Sequence, residues 1–303
     1  MNSLNDCGIY QKTNKYYYHS TNKQVTNKSI LDRIDSIYVP PAWTSVWYAC
    51  NPKSHIQVHG VDESGKRQYI LSEEHIEKSK IEKYKRMKQF IKDLDRFKRI
   101  IRLPNEPEST KTEIMHLLFW LLMETHIRVG NEMYVPESYG LTTMRQRHLV
   151  KENGTFSFQF VGKSKIEHTV IIPKRFNQYM SKLILNKPNH HLFWYSSGSK
   201  RLNVSSDELN EYLKQHMGSD YTCKDFRTYS ANVLFIKAFL KNQCENTNYK
   251  RFVLKCIDES ADQLGHSRSI SRKSYISENL LTFCIESYDQ AKRYSLERLI
   301  KIC

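Results

Sequence analysis

Ala261-Asp-Gln-Leu-Gly-His-Ser-Arg-Ser-Ile-Ser-Arg-Lys-Ser-Tyr275 sets a histidine and a tyrosine nine residues apart behind a Leu-Gly turn. A phenol is a weak nucleophile until nearby cations favour the phenolate and stabilise the charge on the group it attacks. Arg268, Arg272 and Lys273 crowd the same stretch. The remaining cations of such a site have to come from elsewhere in the chain, and Arg128, Lys165 and Arg227 are the candidates.

Outward from that segment, composition narrows the possible partners. With 303 residues, 39% of them hydrophobic and 12% aromatic, the chain can bury a substantial core as one large domain or two. A formal charge of +15 makes a polyanion the natural partner. Nucleic acid is favoured over membrane, because the basic residues run along the whole chain and no basic helix with a bulky apolar face dominates. The seven cysteines (7, 50, 223, 244, 256, 284 and 303) are scattered and form no C-x-x-C pair, which fits a reducing, intracellular setting. Neither they nor His190-His191 have ligand spacing, so no metal is expected. The N-terminal MNSLNDCGIY lacks the order of a signal peptide, and the most apolar run, Ile114 to Met123, is too short to span a bilayer.

The chain reads as α+β in two domains, 1–77 and 78–303. In the first, Tyr16-Tyr17-Tyr18, Ser45 to Cys50, Ile56 to His59 and Arg67 to Leu71 are β-branched and aromatic, with turn signals between them. Asp62-Glu-Ser-Gly65 reads as a hairpin loop. From about Glu73 the period becomes helical, through Tyr84, Met87, Ile91, Leu94, Phe97 and Ile101, and stops at Leu103-Pro104. A second helix begins at Ser109-Thr110 with Glu113 in capping-box position, and Arg128 falls at its far end. Phe156, Phe158 and Phe160, then Gly162-Lys-Ser-Lys165, then alternation from Ile166 to Ile172 predict a β-hairpin with lysines at its tip. Helices are predicted at about 174–186, 206–217, 224–242 and 247–264, and the C-terminal tail continues as helix.

Each candidate has a plainer explanation. Arg128 at a helix C-terminus complements the dipole and the last carbonyls. Lys163 and Lys165 are ordinary solvated turn charges, or else a finger reaching toward a polyanion. His266 is a capping or core histidine, and Tyr275 is one of nineteen tyrosines. Arg227 is harder to dismiss: it lies near a helix start, where cations are disfavoured, and a guanidinium suits two phosphate oxygens at once.

Taken in order, Arg128-Val-Gly-Asn131, Tyr139-Gly-Leu-Thr-Thr143, Phe160-Val-Gly-Lys-Ser-Lys165, Lys224-Asp-Phe-Arg-Thr228 and the Leu264 to Tyr275 segment resemble the type IB DNA topoisomerases, the poxvirus enzymes of similar length in particular. Gly65-Lys-Arg-Gln-Tyr69 resembles a motif of that family's N-terminal domain, so the likeness covers most of the chain. The tyrosine recombinases share the His-to-Tyr spacing, but they typically carry His-x-x-Arg where this chain has Lys224 three residues before Arg227. A basic DNA-binding module with a decayed site is the third reading, disfavoured because all five catalytic positions hold the expected residue types.

The resemblance implies a sheet-rich N-terminal domain and a larger, mostly helical catalytic domain with a β-hairpin, closing on duplex DNA as a clamp. It implies that Tyr275 is the nucleophile, that Arg128, Arg227 and His266 stabilise the transition state, and that Lys165, rather than Lys163, is the general acid. Gln68 and Tyr69 would face the major groove and Tyr134 would touch bases, with Arg67, Lys163 and Lys224 as further DNA contacts. Strand alternation would project Gln68 and Tyr69 from opposite faces unless the strand is bulged or at an edge. No cofactor, metal or ATP is implied. A monomer, a pyrimidine-rich CCCTT-like cleavage preference, and a place in the virion core and host cytoplasm follow from the same likeness.

Overall fold

A computed structural model describes residues 8–218, 221–245 and 247–303; Cys7 and most of the N-terminal decapeptide therefore lie outside the described residues. The chain is α+β and divides into two compact units, Met1–Lys83 and Tyr84–Cys303.

The first unit holds β1 (Gly8–Lys12), β2 (Lys15–Tyr18), α1 (Lys28–Ser36), β3 (Thr44–Ala49), β4 (Ile56–Val61) and β5 (Arg67–Leu71). The strands form one antiparallel sheet in the order β2-β1-β3-β4-β5. Successive residues face opposite sides of a strand, and the register turns that alternation into two rows. Tyr18, Ile9, Tyr48, Val58 and Ile70 are cross-strand partners on the core side, where Ile9, Tyr48 and Val58 are buried. Tyr17, Tyr10, Trp47, His59 and Tyr69 are partners on the other side, an aromatic row across all five strands. Trp47 stacks on His59 with centroids 5.0 Å apart, and Tyr10 on Tyr17 at 5.8 Å. The strand β1 and the helix α1 are additions to the sequence reading; α1 is capped by the Asn27 side chain, which accepts from the Ile30 N–H. The Asp62 loop is a tight turn. Its carboxylate accepts from the Ser64 hydroxyl and the Ser64 and Lys66 amides, which hold its pKa down to about 2, while Gly65 takes the left-handed conformation.

The helix α2 (Glu73–Ile100) contains the division between the units. In the second unit, α3 (Lys111–Thr125) starts at the expected capping box, Thr110 with Glu113. A three-stranded sheet follows, β6 (Leu149–Glu152), β7 (Thr155–Val161) and β8 (Glu167–Ile171), ordered β6-β7-β8, so the expected hairpin gains a third strand. Next come α4 (Asn177–Leu183), the hairpin β9 (Trp194–Ser197) and β10 (Lys200–Asn203), α5 (Ser206–Met217), α6 (Cys223–Lys241) and α7 (Tyr249–Leu264). The tail is broken into α8 (Arg268–Ser274), α9 (Glu278–Glu286), α10 (Tyr288–Lys292) and α11 (Leu296–Ile300). Ser267, Ser277 and Ser295 cap three of these.

Two apolar clusters fill this unit. One gathers α2 to α5 and the three-stranded sheet, the other α7, α9, α10 and α11. The helix α6 belongs to both, with Phe226 in the first and Ala231, Phe235 and Phe239 in the second. That explains its nearly all-round burial. Arg227 is set between the clusters.

Candidate active site

Arg128 does not sit on a helix. The helix α3 stops at Thr125, His126 takes the left-handed conformation, and Arg128 lies on an extended segment beyond it. The Tyr139-to-Thr143 motif holds that segment: the Leu141 N–H donates to the Arg128 carbonyl at 2.9 Å and the Thr142 N–H to Val129 at 2.7 Å. Gly130 and Gly140 touch through their backbones, and a Cβ on Gly140 would stand 2.5 Å from the Gly130 nitrogen. Two motifs that are separate in sequence are thus one structural unit.

The dipole explanation of Arg128 therefore fails, and Arg227 performs that service instead. Its Nη1 donates to the His126 carbonyl at 2.6 Å and its Nη2 to the carbonyl of Leu264, so one guanidinium satisfies the open ends of α3 and α7 together. The residue is only 9% exposed. Upstream, Asp225 fixes the start of α6 by accepting from the Thr222 amide and hydroxyl, and it pairs with Arg86 at 3.3 Å. Lys224 is exposed on the first turn.

Tyr275 caps the C-terminus of α8. Its carbonyl accepts from Asn232 Nδ2 at 2.9 Å, and Asn232 Oδ1 accepts from the Ser277 N–H at 2.9 Å; Asn232 has no exposed surface. The phenol ring stacks on His266, centroids 4.8 Å apart and planes 13° from parallel. The Arg227 guanidinium stands 6.0 Å from the ring centroid. His266 is oriented by Ser271, whose hydroxyl lies 2.9 Å from Nδ1, leaving Nε2 buried without a partner. The Nε of Arg227 is likewise buried and unpaired. Such unpaired groups are rare unless a ligand completes them.

Burial, then Arg227 and Arg128, drive the His266 pKa down to about 4. Burial, then Arg128, push Arg227 down to about 10 against the opposing pull of Tyr275. Burial lowers Arg128 too, again opposed by Tyr275. A neutral imidazole between two arginines costs no like-charge repulsion and can still donate one hydrogen bond. Arg128, Arg227, His126 and His168 line one cleft with Gly162 and Gln263.

The structure thus brings Tyr275, His266, Arg227 and Arg128 together. Lys163 and Lys165 are left exposed at the hairpin tip, where Ser164 and Lys165 both take positive φ, 64° and 58°. Arg268 is not free charge beside Tyr275, since its guanidinium forms a two-pronged pair with Asp258. Tyr134 is half exposed at the end of a single 3₁₀ turn, Glu132–Tyr134, that Asn131 caps. In the N-terminal unit, alternation holds at β5. Arg67 and Tyr69 are exposed on the aromatic face, while Gln68 points the other way and donates to Asp62 at 2.6 Å. Ser271, Asn232, His126 and His168 were not singled out from sequence. The spacing of Ser271 from His266 could have revealed it; the others join the site mainly through contacts made by the fold, Asn232 to Tyr275, His126 to Arg227 and His168 to Gly265. Among the described residues no group of three or more His, Cys, Asp or Glu could hold a metal ion, and no helix is long and apolar enough to cross a membrane.

Residues 72–299 match the family described as eukaryotic DNA topoisomerase I, catalytic core, and residues 15–62 the one described as bacterial DNA topoisomerase IB, N-terminal domain. DNA topoisomerase 1B of Acanthamoeba polyphaga mimivirus is 33% identical over 307 residues, covering 96% of this chain and 90% of that protein. DNA topoisomerase 1B of Vaccinia virus (strain Copenhagen) is 28% identical over 234 residues, 73% of this chain and 70% of that protein. The solved structure of XerH site-specific recombinase bound to palindromic difH substrate aligns with a TM-score of 0.39 and 17% identity over 76% of this chain and 59% of that one, too distant to bear on function. On the family match and the mimivirus relative, the chain belongs to the type IB DNA topoisomerases.

Proposed function

We propose that the protein relaxes supercoiled duplex DNA by cutting one strand reversibly with Tyr275. The observation that carries this reading is the phenol held against His266 and Arg227, with two buried donors, Arg227 Nε and His266 Nε2, left without partners. A phosphodiester supplies the missing acceptors.

The phenol loses its proton to solvent and attacks the phosphorus. The Tyr275 Oη–P bond forms as the P–O5′ bond breaks, leaving a 3′-phosphotyrosyl link and a 5′-hydroxyl. Arg128, Arg227 and His266 donate to the non-bridging oxygens, where charge gathers in the transition state; removing one such donor costs about 10²- to 10³-fold in rate. Lys165 gives its proton to the departing 5′ oxygen, a contribution of about 10² to 10⁴. Its place on an exposed turn supports a finger that closes on DNA. Lys163, two residues away, is the competing donor. The bond energy is kept in the phosphotyrosine, so rotation of the cut strand and attack by the 5′-hydroxyl require no ATP.

The cationic surface supports duplex binding. Arg67, Tyr69, Tyr134, Lys163 and Lys224 are exposed and able to touch DNA; Gln68 can do so only by exchanging its bond to Asp62. A CCCTT-like preference, action as a monomer, and a place in the virion core and host cytoplasm are carried into the proposal by the resemblance to the poxvirus enzymes alone.

Supercoiled plasmid incubated in EDTA without ATP gives a ladder of relaxed topoisomers, and denaturation with detergent traps a covalent adduct. Tyr275→Phe abolishes both. Relaxation surviving that change, or exchange between defined sites in place of relaxation, would sink the reading; sequencing the trapped 3′ ends tests the site preference.

A further inference from the structure

Within the cleft, His168 has no role in the mechanism above. It lies on β8 opposite Phe160 of β7, and the two rings stack 5.1 Å apart at 19°. The other side of the imidazole is held by two glycines. A Cβ at position 162 would stand 2.7 Å from both Cδ2 and Nε2 of the ring, and one at position 265 would overlap its Cε1. Gly162 opens the tip loop that carries Lys165, its N–H donating to the Ile166 carbonyl at 2.7 Å. Gly265 takes the left-handed turn that ends α7 and directly precedes His266. The ring therefore fits only because both flanking residues lack a side chain.

We propose that His168 is a positioning residue of the active site, a wedge that docks the root of the Lys165 hairpin against the Leu264-Gly-His266 turn. The contact fixes where the tip loop starts relative to the histidine and tyrosine that hold the phosphate. Burial, then Arg128 and Arg227, lower the His168 pKa, so the ring packs as a neutral body. The hairpin tip has two consecutive residues at positive φ and lies exposed, so the strands beneath it are what aim the lysine.

This inference rests on the reading of Lys165 as general acid. During cleavage the proton passes from the Lys165 ammonium to the 5′ oxygen as the P–O5′ bond breaks and the Tyr275 Oη–P bond forms. When sulfur replaces that bridging oxygen, the thiolate departs without a proton, so any residue that serves only proton delivery becomes dispensable.

The experiment measures single-turnover cleavage of a duplex with a 5′-bridging oxygen or a 5′-bridging sulfur, at saturating enzyme, for the intact protein, Lys165→Ala, His168→Ala and His168→Gln. The glutamine variant refills the wedge if the alanine variant fails to fold. We expect His168→Ala to slow the oxygen substrate by about 10²-fold and to cleave the sulfur substrate within a few-fold of the intact protein, as Lys165→Ala does. If Lys165→Ala is rescued by sulfur while the His168 variants are equally slow on both substrates, His168 is structural and the inference is overturned, with the general acid standing. Lys165→Ala that sulfur does not rescue overturns the general-acid reading, and the inference with it. His168 variants that cleave both substrates at full rate also overturn the inference.

Discussion

Arg227 joins an architectural place to the chemical role proposed for it. Its two terminal nitrogens close the ends of α3 and α7, and its remaining Nε is buried without a partner. A lysine keeps the charge but not the fork. Arg227→Lys should therefore slow cleavage by about 10²-fold and, because a buried carbonyl loses its donor, lower stability by about 1–3 kcal/mol. Single-turnover cleavage and denaturant unfolding measure the two losses separately, and a stability loss without a rate loss would refute the dual role. This residue was legible from sequence because a cation near a helix start demands an explanation. Arg128 was legible as a candidate but misplaced on a helix, since the left-handed turn falls on His126, four residues before the glycine expected to end the helix. Asn232 and His168 gave no local signal, because Asn232 meets Tyr275 and Ser277 from 43 and 45 residues away, and His168 meets Gly265 from the far side of the chain.

At the scale of elements, long periodic segments were readable: α2, α3 with its capping box, α5 to α7, and β7 with β8. The elements that escaped are short. The helix α1 has two and a half turns at most, too few for a period to emerge from its neighbours, and β1, β9 and β10 have four or five residues each. The tail breaks where serines cap its successive helices, a signal present in the sequence but submerged in a uniformly helical composition. The aromatic row of the N-terminal sheet appears only once register is known, because its five members come from five strands. Trp47 is its centre, packed over Gly8, where any Cβ would collide with the indole. Trp47→Ala should destabilise the N-terminal unit by about 1 kcal/mol or more through lost cross-strand pairing, and Tyr69→Ala, on the edge strand with one partner, by less. Near-UV circular dichroism during denaturant titration reads the difference; equal losses would show that the row does not act as a ladder.

At the scale of the whole molecule, charge was the most readable property and its titration the least. His126, His148 and His266 all have folded-state pKa values near 4, each depressed first by burial. An unfolded histidine titrates near 6.5, so folding favours the neutral form. The resulting stability is complete above about pH 6.5 and is lost as pH falls toward 4. The unfolding temperature should accordingly drop most steeply across that window. His148→Gln, which removes a group accepting from the Arg145 amide at 3.0 Å, should flatten the slope while lowering the plateau at neutral pH. A curve that is flat between pH 6.5 and 4.5 would contradict the assignment. The contact between Gly130 and Gly140 also has a meaning for how the chain can change. Residues 131–139 leave and return through one closed stem, whose backbone carries Arg128. Beyond the stem Glu132 is tied to Arg145, so exchanging the excursion that bears Tyr134 should sacrifice that pair while the arginine at the stem keeps its place.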